Sequence, residues 1–408
     1  MVMPDRFRKT SKVPDGITVV EIVESISRGS FGLGYAVLNL AAALERAGVN
    51  VFLASVDEKS AAYETCEEAG FPRERLILGS LVGPARFRFA PGLANQVSNL
   101  ASGERSIVHL HGVWTYVSHV ARVLRTRWQC PLVLTPHGSY EPFMQTISPR
   151  KKAIASLLYE RRNLTTASCL WALSEQEKLS IMEYGFNGRI EVIPNGVNRA
   201  IYCSADDVAD FRRRHNVAPG SRILLFLSRI ARKKNLPLLL KALAKIASKH
   251  PDWKLLIAGA DEGGHIHQVQ ALIEEFKIGK QASLIGPVSG KEKACALTAA
   301  SVFVLPSHSE GLPIAVLEAM EYGKPVLLTD GWSLPVTTSA KFGWRVSVEE
   351  ALFEAALHEA MSTSEQVLAE MGGLGQSLVR EHFNWDSIAQ QAASLYTSLL
   401  TDGRQARR

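Results

Sequence analysis

The chain has 408 residues, 46% of them hydrophobic and 21% charged, the proportions of a soluble globular protein with room for two or three domains. Its formal charge of +6 favours an anionic partner, and without zinc-finger spacing or an RNA-recognition motif, nucleic acid ranks below a nucleotide or a lipid headgroup. There is no apolar run of about eighteen residues and no apolar stretch at the start, so neither a membrane-spanning helix nor a signal peptide is expected. The cysteines (Cys66, Cys130, Cys169, Cys203 and Cys295) are scattered and odd in number, which fits reduced thiols in a cytoplasm.

Residues 17–23 read as a first strand, 35–46 as an amphipathic helix and 49–54 as a second strand. The intervening SISRGSFGLG sets Gly32 and Gly34 ahead of Val37, with Asp57 further on, and mimics part of a dinucleotide-binding fingerprint. That fingerprint needs its glycines directly after the strand. Here about eight residues intervene, which argues against a nicotinamide or flavin site. His109 and His111 share one side of a strand at 106–110, and a strand at 131–135 ends in Pro136-His137-Gly138. Three histidines are enough for zinc, yet no carboxylate or thiolate accompanies them in the motif, and hydrogen-bonded histidines at strand ends are the plainer reading. His265-x-His267 lies in polar sequence without a third ligand and reads as solvated.

Two runs mix basic and apolar residues: Arg86-Phe87-Arg88-Phe89, and 143–163, where Lys151, Lys152, Arg161 and Arg162 accompany Ile154, Leu157 and Leu158. Each suits an anionic bilayer surface, the alternative being a solvated helix face over core. A polar stretch at 205–221 marks a linker around 199–220. Strands at 223–227, 255–259, 283–286, 301–305 and 326–329 follow, with helices at 236–249 and 385–400. Strand–helix alternation in both halves argues for an α/β fold of two doubly wound domains facing one cleft.

The chain is organised around residues 301–325, SVFVLPSHSEGLPIAVLEAMEYGKP. A buried strand at 301–305 leads through a polar loop at 306–312 into a helix with Pro313 at its first position, ended by Gly323 and Pro325. A loop between a parallel strand and a helix is where open α/β sheets bind ligands, and the N–H groups of Ile314 and Ala315 are suited to a phosphate. Glu310 and Glu318 bracket this turn, at most roughly 12 Å apart at helical rise. That matches the span from a sugar ring across a diphosphate to a ribose.

This segment is similar to the Glu-x7-Glu element of the retaining family 4 (group 1) glycosyltransferases with the GT-B fold. The resemblance implies that Glu310 contacts the transferred sugar and Glu318 the nucleotide ribose. The loop Ser228–Asn235 resembles the family's Arg-Leu-x3-Lys-Gly element, with Ile230 for Leu and Asn235 for Gly, which implies that Arg229 and Lys234 bind the diphosphate. IPNGVN resembles the Pro-Asn-Gly-Val-Asp segment, with Asn198 for Asp. His137 matches a histidine lining the sugar site. Gly32 matches the glycine loop near the diphosphate, where Phe31-Gly32 replaces Gly-Gly, and Gly286 and Val288 match contacts to the base. Gly311, Leu312, Ile314 and Ala315 complete the implied donor site. Gly331-Trp332 in place of Gly-Gly, with Gly343-Trp344, resembles transferases of bacterial exopolysaccharide or lipopolysaccharide biosynthesis.

The expected organisation is an acceptor domain at 17–200, a nucleotide-sugar domain at 220–383 and a C-terminal helix at 384–402 crossing back to the first domain. Charge building on the departing β-phosphate must be neutralised, and no Asp-x-Asp metal motif occurs in this sequence. A cofactor-free and metal-free transfer is therefore expected, and the resemblance implies that it retains configuration, with Glu310, His137, Arg229 and Lys234 as its catalytic residues. The expected acceptor is a surface glycan, free or lipid-linked, and the expected location the cytoplasm with peripheral contact at the inner membrane face. The rival readings are a UDP-sugar 2-epimerase on a similar frame and a non-catalytic nucleotide-sugar-binding partner.

Overall fold

The computed structural model describes residues 16–27, 31–84, 87–99, 105–331 and 341–405. They divide into two compact units, one running to Gly196 and resuming at Asn384, the other running from Val197 to Phe383. Among the described residues no helix is long and apolar enough to cross a membrane.

The first unit is built on strands β1 (Thr18–Ile22), β2 (Asn50–Ser55), β3 (Leu76–Leu78), β4 (Ser106–His111), β5 (Leu132–Thr135), β6 (Cys169–Ala172) and β7 (Ile190–Val192). They lie in the order β3-β2-β1-β4-β5-β6-β7, with parallel pairing throughout. Helices cover both faces of such a sheet, so its inner strands read as unbroken apolar runs; β4 and β5 are buried at every residue. Strand order reverses between β1 and β4, the point at which open α/β sheets take ligands. The helix Phe31–Arg46 begins four residues before the periodicity predicts, so Gly32 sits in its first turn rather than in a loop. Helix ends are the least legible part of a pattern, because only the interior turns carry the apolar stripe. Asp57, the acid that follows the partial glycine fingerprint, accepts from the Ile26 N–H at 2.8 Å and the Ser25 hydroxyl at 2.5 Å, fastening the segment after β1.

The second unit repeats the plan with β8 (Arg222–Leu227), β9 (Trp253–Ala258), β10 (Ala282–Gly286), β11 (Val302–Leu305), β12 (Val326–Thr329) and β13 (Gly343–Val346). The order is β10-β9-β8-β11-β12-β13, again parallel, with its reversal between β8 and β11. β13 escapes the sequence reading because a four-residue edge strand with one buried side chain has almost no apolar signal. Within the stretch expected as linker lies the helix Ala205–Arg214. Ser204 and Asp207 close a reciprocal capping box at its start, and Arg214 pairs with Glu292 at 2.9 Å.

The helix Trp385–Gln405 belongs to the first unit, where it packs along the helix Phe31–Arg46. Its Tyr396 is fully buried and reaches the sheet: the hydroxyl donates to Glu21 Oε1 at 3.2 Å and lies 2.7 Å from His109 Nδ1. Glu21 sits in β1 directly opposite His109 in β4. His111 Nε2 donates to Glu21 Oε2 at 2.6 Å, and His109 Nε2 meets the Thr135 hydroxyl at 2.8 Å. Trp171 stacks on the His109 ring at 5.1 Å. Burial alone would raise the Glu21 carboxyl, but His109 and His111 outweigh it and hold it at about 2. Burial, then repulsion by His109, hold His111 at about 4 against the pull of Glu21. His137, beside His111, is likewise pushed well below the usual histidine range, chiefly by burial.

Each of these shifts has the same sign for stability. The unfolded chain takes up protons at a higher pH than the folded one, so the contribution of His111 is lost as pH falls from 6.5 towards about 4. That of Glu21 is lost below it, between 4.5 and about 2. For His111 the loss is on the order of 3 kcal/mol. The groups facing one another here are Glu21, His109, His111, His137 and Tyr396. Thermal melts should show Tm falling across pH 6.5 to 4, with a shallower fall in His111→Gln; a flat wild-type profile contradicts the account.

Candidate functional site

In the second unit the loops after β8 and β11, the two strands at the reversal, carry the residues singled out by sequence. The loop after β8 passes through Arg229 into a one-turn helix, Arg232–Lys234, and then Asn235, whose φ of +51° starts the helix Leu236–Ile246. That turn brings the Lys234 ammonium inward, where it pairs with Glu310 Oε1 at 2.5 Å; both residues are 7% exposed. Burial would raise the Glu310 carboxyl, but Lys234 and then Lys233 outweigh it and hold it below the usual range. Arg229 lies near enough to add to the positive field at Lys234, and its guanidinium holds Glu262 at 2.8 Å in an exposed pair. An exposed pair of this kind is worth little and exchanges readily for a better anion.

The loop around Glu310 is fixed by backbone contacts. Its N–H donates to the Gly331 carbonyl at 2.8 Å, and the His308 N–H to the Lys233 carbonyl at 2.9 Å. Gly331 is required there, because a Cβ would stand 2.5 Å from the His308 carbonyl oxygen. Gly311 and Leu312 are buried behind the loop, and the helix Ile314–Glu321 follows, with Pro313 as its cap instead of its first residue. Ile314 and Ala315 form its first turn, whose N–H groups find no acceptor within the helix. Glu318 is nearly buried and pairs with Lys293 at 2.6 Å. Sequence reasoning missed Lys293, which lies on the separate helix Gly290–Ala299 and belongs to no motif. Gly286 ends β10 with a φ of +76°, and the half-buried Val288 follows. A recess of about 310 Å³ opens beside Arg232 and Asn235, and His265 and His308 line it. His265 is thus half-buried in a wall, not solvated as expected, whereas His267 is exposed.

In the first unit His137 follows β5 with a φ of +51°, unusual for a residue with a side chain, and its Nε2 lies 3.1 Å from His111 Nδ1. Gly32 is exposed. Of the run at 86–89, Arg86 lies outside the described residues, and Arg88 turns inward to the Val56 carbonyl at 2.9 Å. Residues 149–166 form one helical run in which Lys152 also turns in, to the Met144 carbonyl and over the Trp114 ring. Leu157, 84% exposed, Leu158 and Ile154 face outward among Arg150, Lys151, Arg161 and Arg162. Trp332 lies outside the described residues, and Trp344 is buried in β13.

Residues 31–196 match the family model for the glycosyl transferase 4-like domain and 207–366 that for glycosyl transferases group 1. The D-inositol 3-phosphate glycosyltransferase of Pseudarthrobacter chlorophenolicus is 31% identical over 238 residues, which are 56% of this chain and 55% of that protein. The chain thus spans about half the length of that relative, but 91% of the enzyme of the same name from Corynebacterium efficiens, at 24% identity over 398 residues. The solved structure of Anabaena HepE in complex with UDP-glucose has a TM-score of 0.75 at 19% identity, covering 94% of this chain and 100% of its own. Sucrose-phosphate synthase from Thermosynechococcus elongatus gives 0.74 at 20% identity, covering 95% of this chain and 100% of its own. With a family model on each half and the two doubly wound sheets of a GT-B fold, the chain belongs to the family 4, group 1 glycosyltransferases.

Proposed function

We propose that this glycosyltransferase moves a sugar from a nucleoside diphosphate sugar to a surface glycan, free or lipid-linked, with retention of configuration and without a metal or other cofactor. The observation that carries the reading is the buried Lys234–Glu310 pair at the strand reversal of the second unit. It supplies a cation for a phosphate and a carboxylate for sugar hydroxyls within one contact. Support for the donor class also comes from Anabaena HepE, whose structure carries UDP-glucose.

In the proposed mechanism Arg229, Lys234 and the N–H groups of Ile314 and Ala315 take up the charge that builds on the departing β-phosphate. Glu310 accepts hydrogen bonds from the sugar, Glu318 from the ribose, and the backbone at Gly286 and Val288 meets the base. His137 of the first unit contacts the transferred sugar. The leaving phosphate then takes the acceptor's proton on the face it leaves, which preserves configuration. For the acceptor side we propose peripheral contact with an anionic membrane at the cytoplasmic face, through Ile154, Leu157 and Leu158 and the basic residues around them.

Calorimetry with nucleoside diphosphate separates the two carboxylates. Glu318→Ala should weaken binding by roughly 1.5–3 kcal/mol, the worth of hydrogen bonds to a charged acceptor. Glu310→Gln should lower turnover while leaving the nucleotide's Kd within about threefold, because Lys234 keeps its charge. The opposite pattern contradicts the assignment.

Activity should survive EDTA. Arg229→Ala and Lys234→Ala should each lower kcat/KM by on the order of a hundredfold. Since Lys234→Ala strands the buried Glu310, its Tm is read alongside, and Lys234→Ala/Glu310→Gln should recover stability without activity. Loss of activity in EDTA with recovery in manganese overturns the metal-free reading.

Flotation tests the membrane contact: binding to phosphatidylglycerol vesicles should fade at high salt and vanish in Leu157→Asp/Leu158→Asp. Each basic residue near the surface contributes about 1 kcal/mol. Equal binding to phosphatidylcholine, or none to either, removes it.

A further inference from the structure

The hydrogen bonds that run from Glu21 to His137 fix where every proton in the row can sit. A carboxylate only accepts, so the 2.6 Å contact with Glu21 requires His111 to carry its proton on Nε2. A neutral His111 then offers Nδ1 as an acceptor, and the 3.1 Å contact requires His137 to donate from Nε2. That leaves Nδ1 of His137 with a lone pair and no proton. We propose that Glu21 is a positioning residue, acting through His111 to hold His137 in the tautomer whose Nδ1 accepts a hydrogen bond from a donor-sugar hydroxyl. The proposal rests on His137 being the sugar contact, and it adds the polarity of that contact: an O–H donor fits there and a phosphate oxygen does not.

Several features of the structure support this assignment. Glu21 remains ionised inside the sheet because the histidines beside it outweigh burial. The remaining members of the cluster converge on the carboxylate at the head of the row: His109 Nδ1 lies 3.1 Å from the same Oε2 that accepts from His111. Tyr396 donates to the other oxygen of Glu21, and His109 is taken up between Tyr396 and Thr135. A second buried carboxylate holds the backbone beneath the ring. Glu177 accepts from the Gly138 N–H and from the Leu173 N–H at 2.7 Å, pinning the turn in which His137 and Gly138 both have positive φ. A side-chain-bearing residue held in that region marks a place where the fold bears strain, commonly at a site of function. The ligand atoms of Glu21, His109 and His111 lie within 4.8 Å of one another, close enough for a metal ion. Yet His109 and His111 have hydrogen-bond partners at both ring nitrogens, which already accounts for the cluster.

Glu21→Gln tests the row, because an amide can present N–H to His111 Nε2 and reverse the polarity of each bond after it. Long-range proton–nitrogen NMR of histidine-labelled full-length protein reads the tautomers without reference to activity. Nε2–H is expected at both His111 and His137 in the wild type, with His137 switching to Nδ1–H in Glu21→Gln. The variant's kcat/KM should fall by about tenfold or more while the Kd for nucleoside diphosphate stays unchanged. His111→Gln, whose amide can donate to Glu21 and accept from His137, should keep more activity than Glu21→Gln. Nδ1–H at His137 in the wild type overturns the proposal, and this result stands even where the variant fails to fold. So does stoichiometric zinc held by the purified protein. Switched tautomers with undiminished activity overturn the contact between His137 and the sugar and leave the donor site of the second unit standing.

Discussion

A carboxylate taken out of water must be matched, and this chain buries several and matches most of them differently. An unpaired ion in an apolar interior costs several kcal/mol, whereas one with a well-placed cation or donors is tolerated. Glu310 meets Lys234, Glu318 meets Lys293, and Glu321 meets Arg380. Glu21 is held by two histidines and a tyrosine, and Glu177 by backbone N–H groups. Glu160 has the Trp114 N–H at 2.6 Å, and burial outweighs that bond and pushes its carboxyl up to about 7. Each pairing ties together pieces of chain that are distant in sequence. In the two sheets the decisive ones fall at the strand reversals.

This constraint bears on the proposed chemistry. Lys234 is already desolvated and already paired, so a diphosphate reaching it takes over an ammonium that has left water before the reaction begins. Reorganisation that has been completed in folding does not have to be repeated in the transition state, which is what makes fixed charges effective there. Arg229, in an exposed pair with Glu262, has the opposite character. In the proposed mechanism it exchanges that weak surface pair for the phosphate and contributes little until it does.

How much of this was legible beforehand depended on sequence distance. The alternation of strands and helices was readable, as were Glu310 and Glu318 in one helix entrance and Arg229 and Lys234 in another loop, because each lies within one local pattern. The pairing of Lys234 with Glu310 spans 76 residues, and no periodicity reports on it. Glu21 was visible only as a charge inside the apolar TVVEI, an anomaly whose partners lie in β4 and in a helix 375 residues away. The same limit hid Lys293 and Glu177. A different one hid the start of the helix Phe31–Arg46: terminal turns show no full face, and glycine there looks like loop.

The two reversals share a topology and differ in chemistry. In the second unit the loops after β8 and β11 gather Lys233 and Lys234 about Glu310, with Arg229 nearby on Glu262, three cations to two carboxylates. In the first, β1 and β4 gather a single ionised carboxylate, a tyrosine hydroxyl and His111, whose basicity burial suppresses as it does that of His137 beside it. Cations suit a diphosphate, whose affinity comes from charge. A row of neutral rings with assigned protons suits an uncharged hydroxyl, for which a stray positive charge would reward the wrong group. Seen this way, the acid in β1 is not a defect in an apolar strand. By fixing the tautomer of His111 and drawing in Tyr396, it keeps the histidine side of the first unit directional without making it cationic.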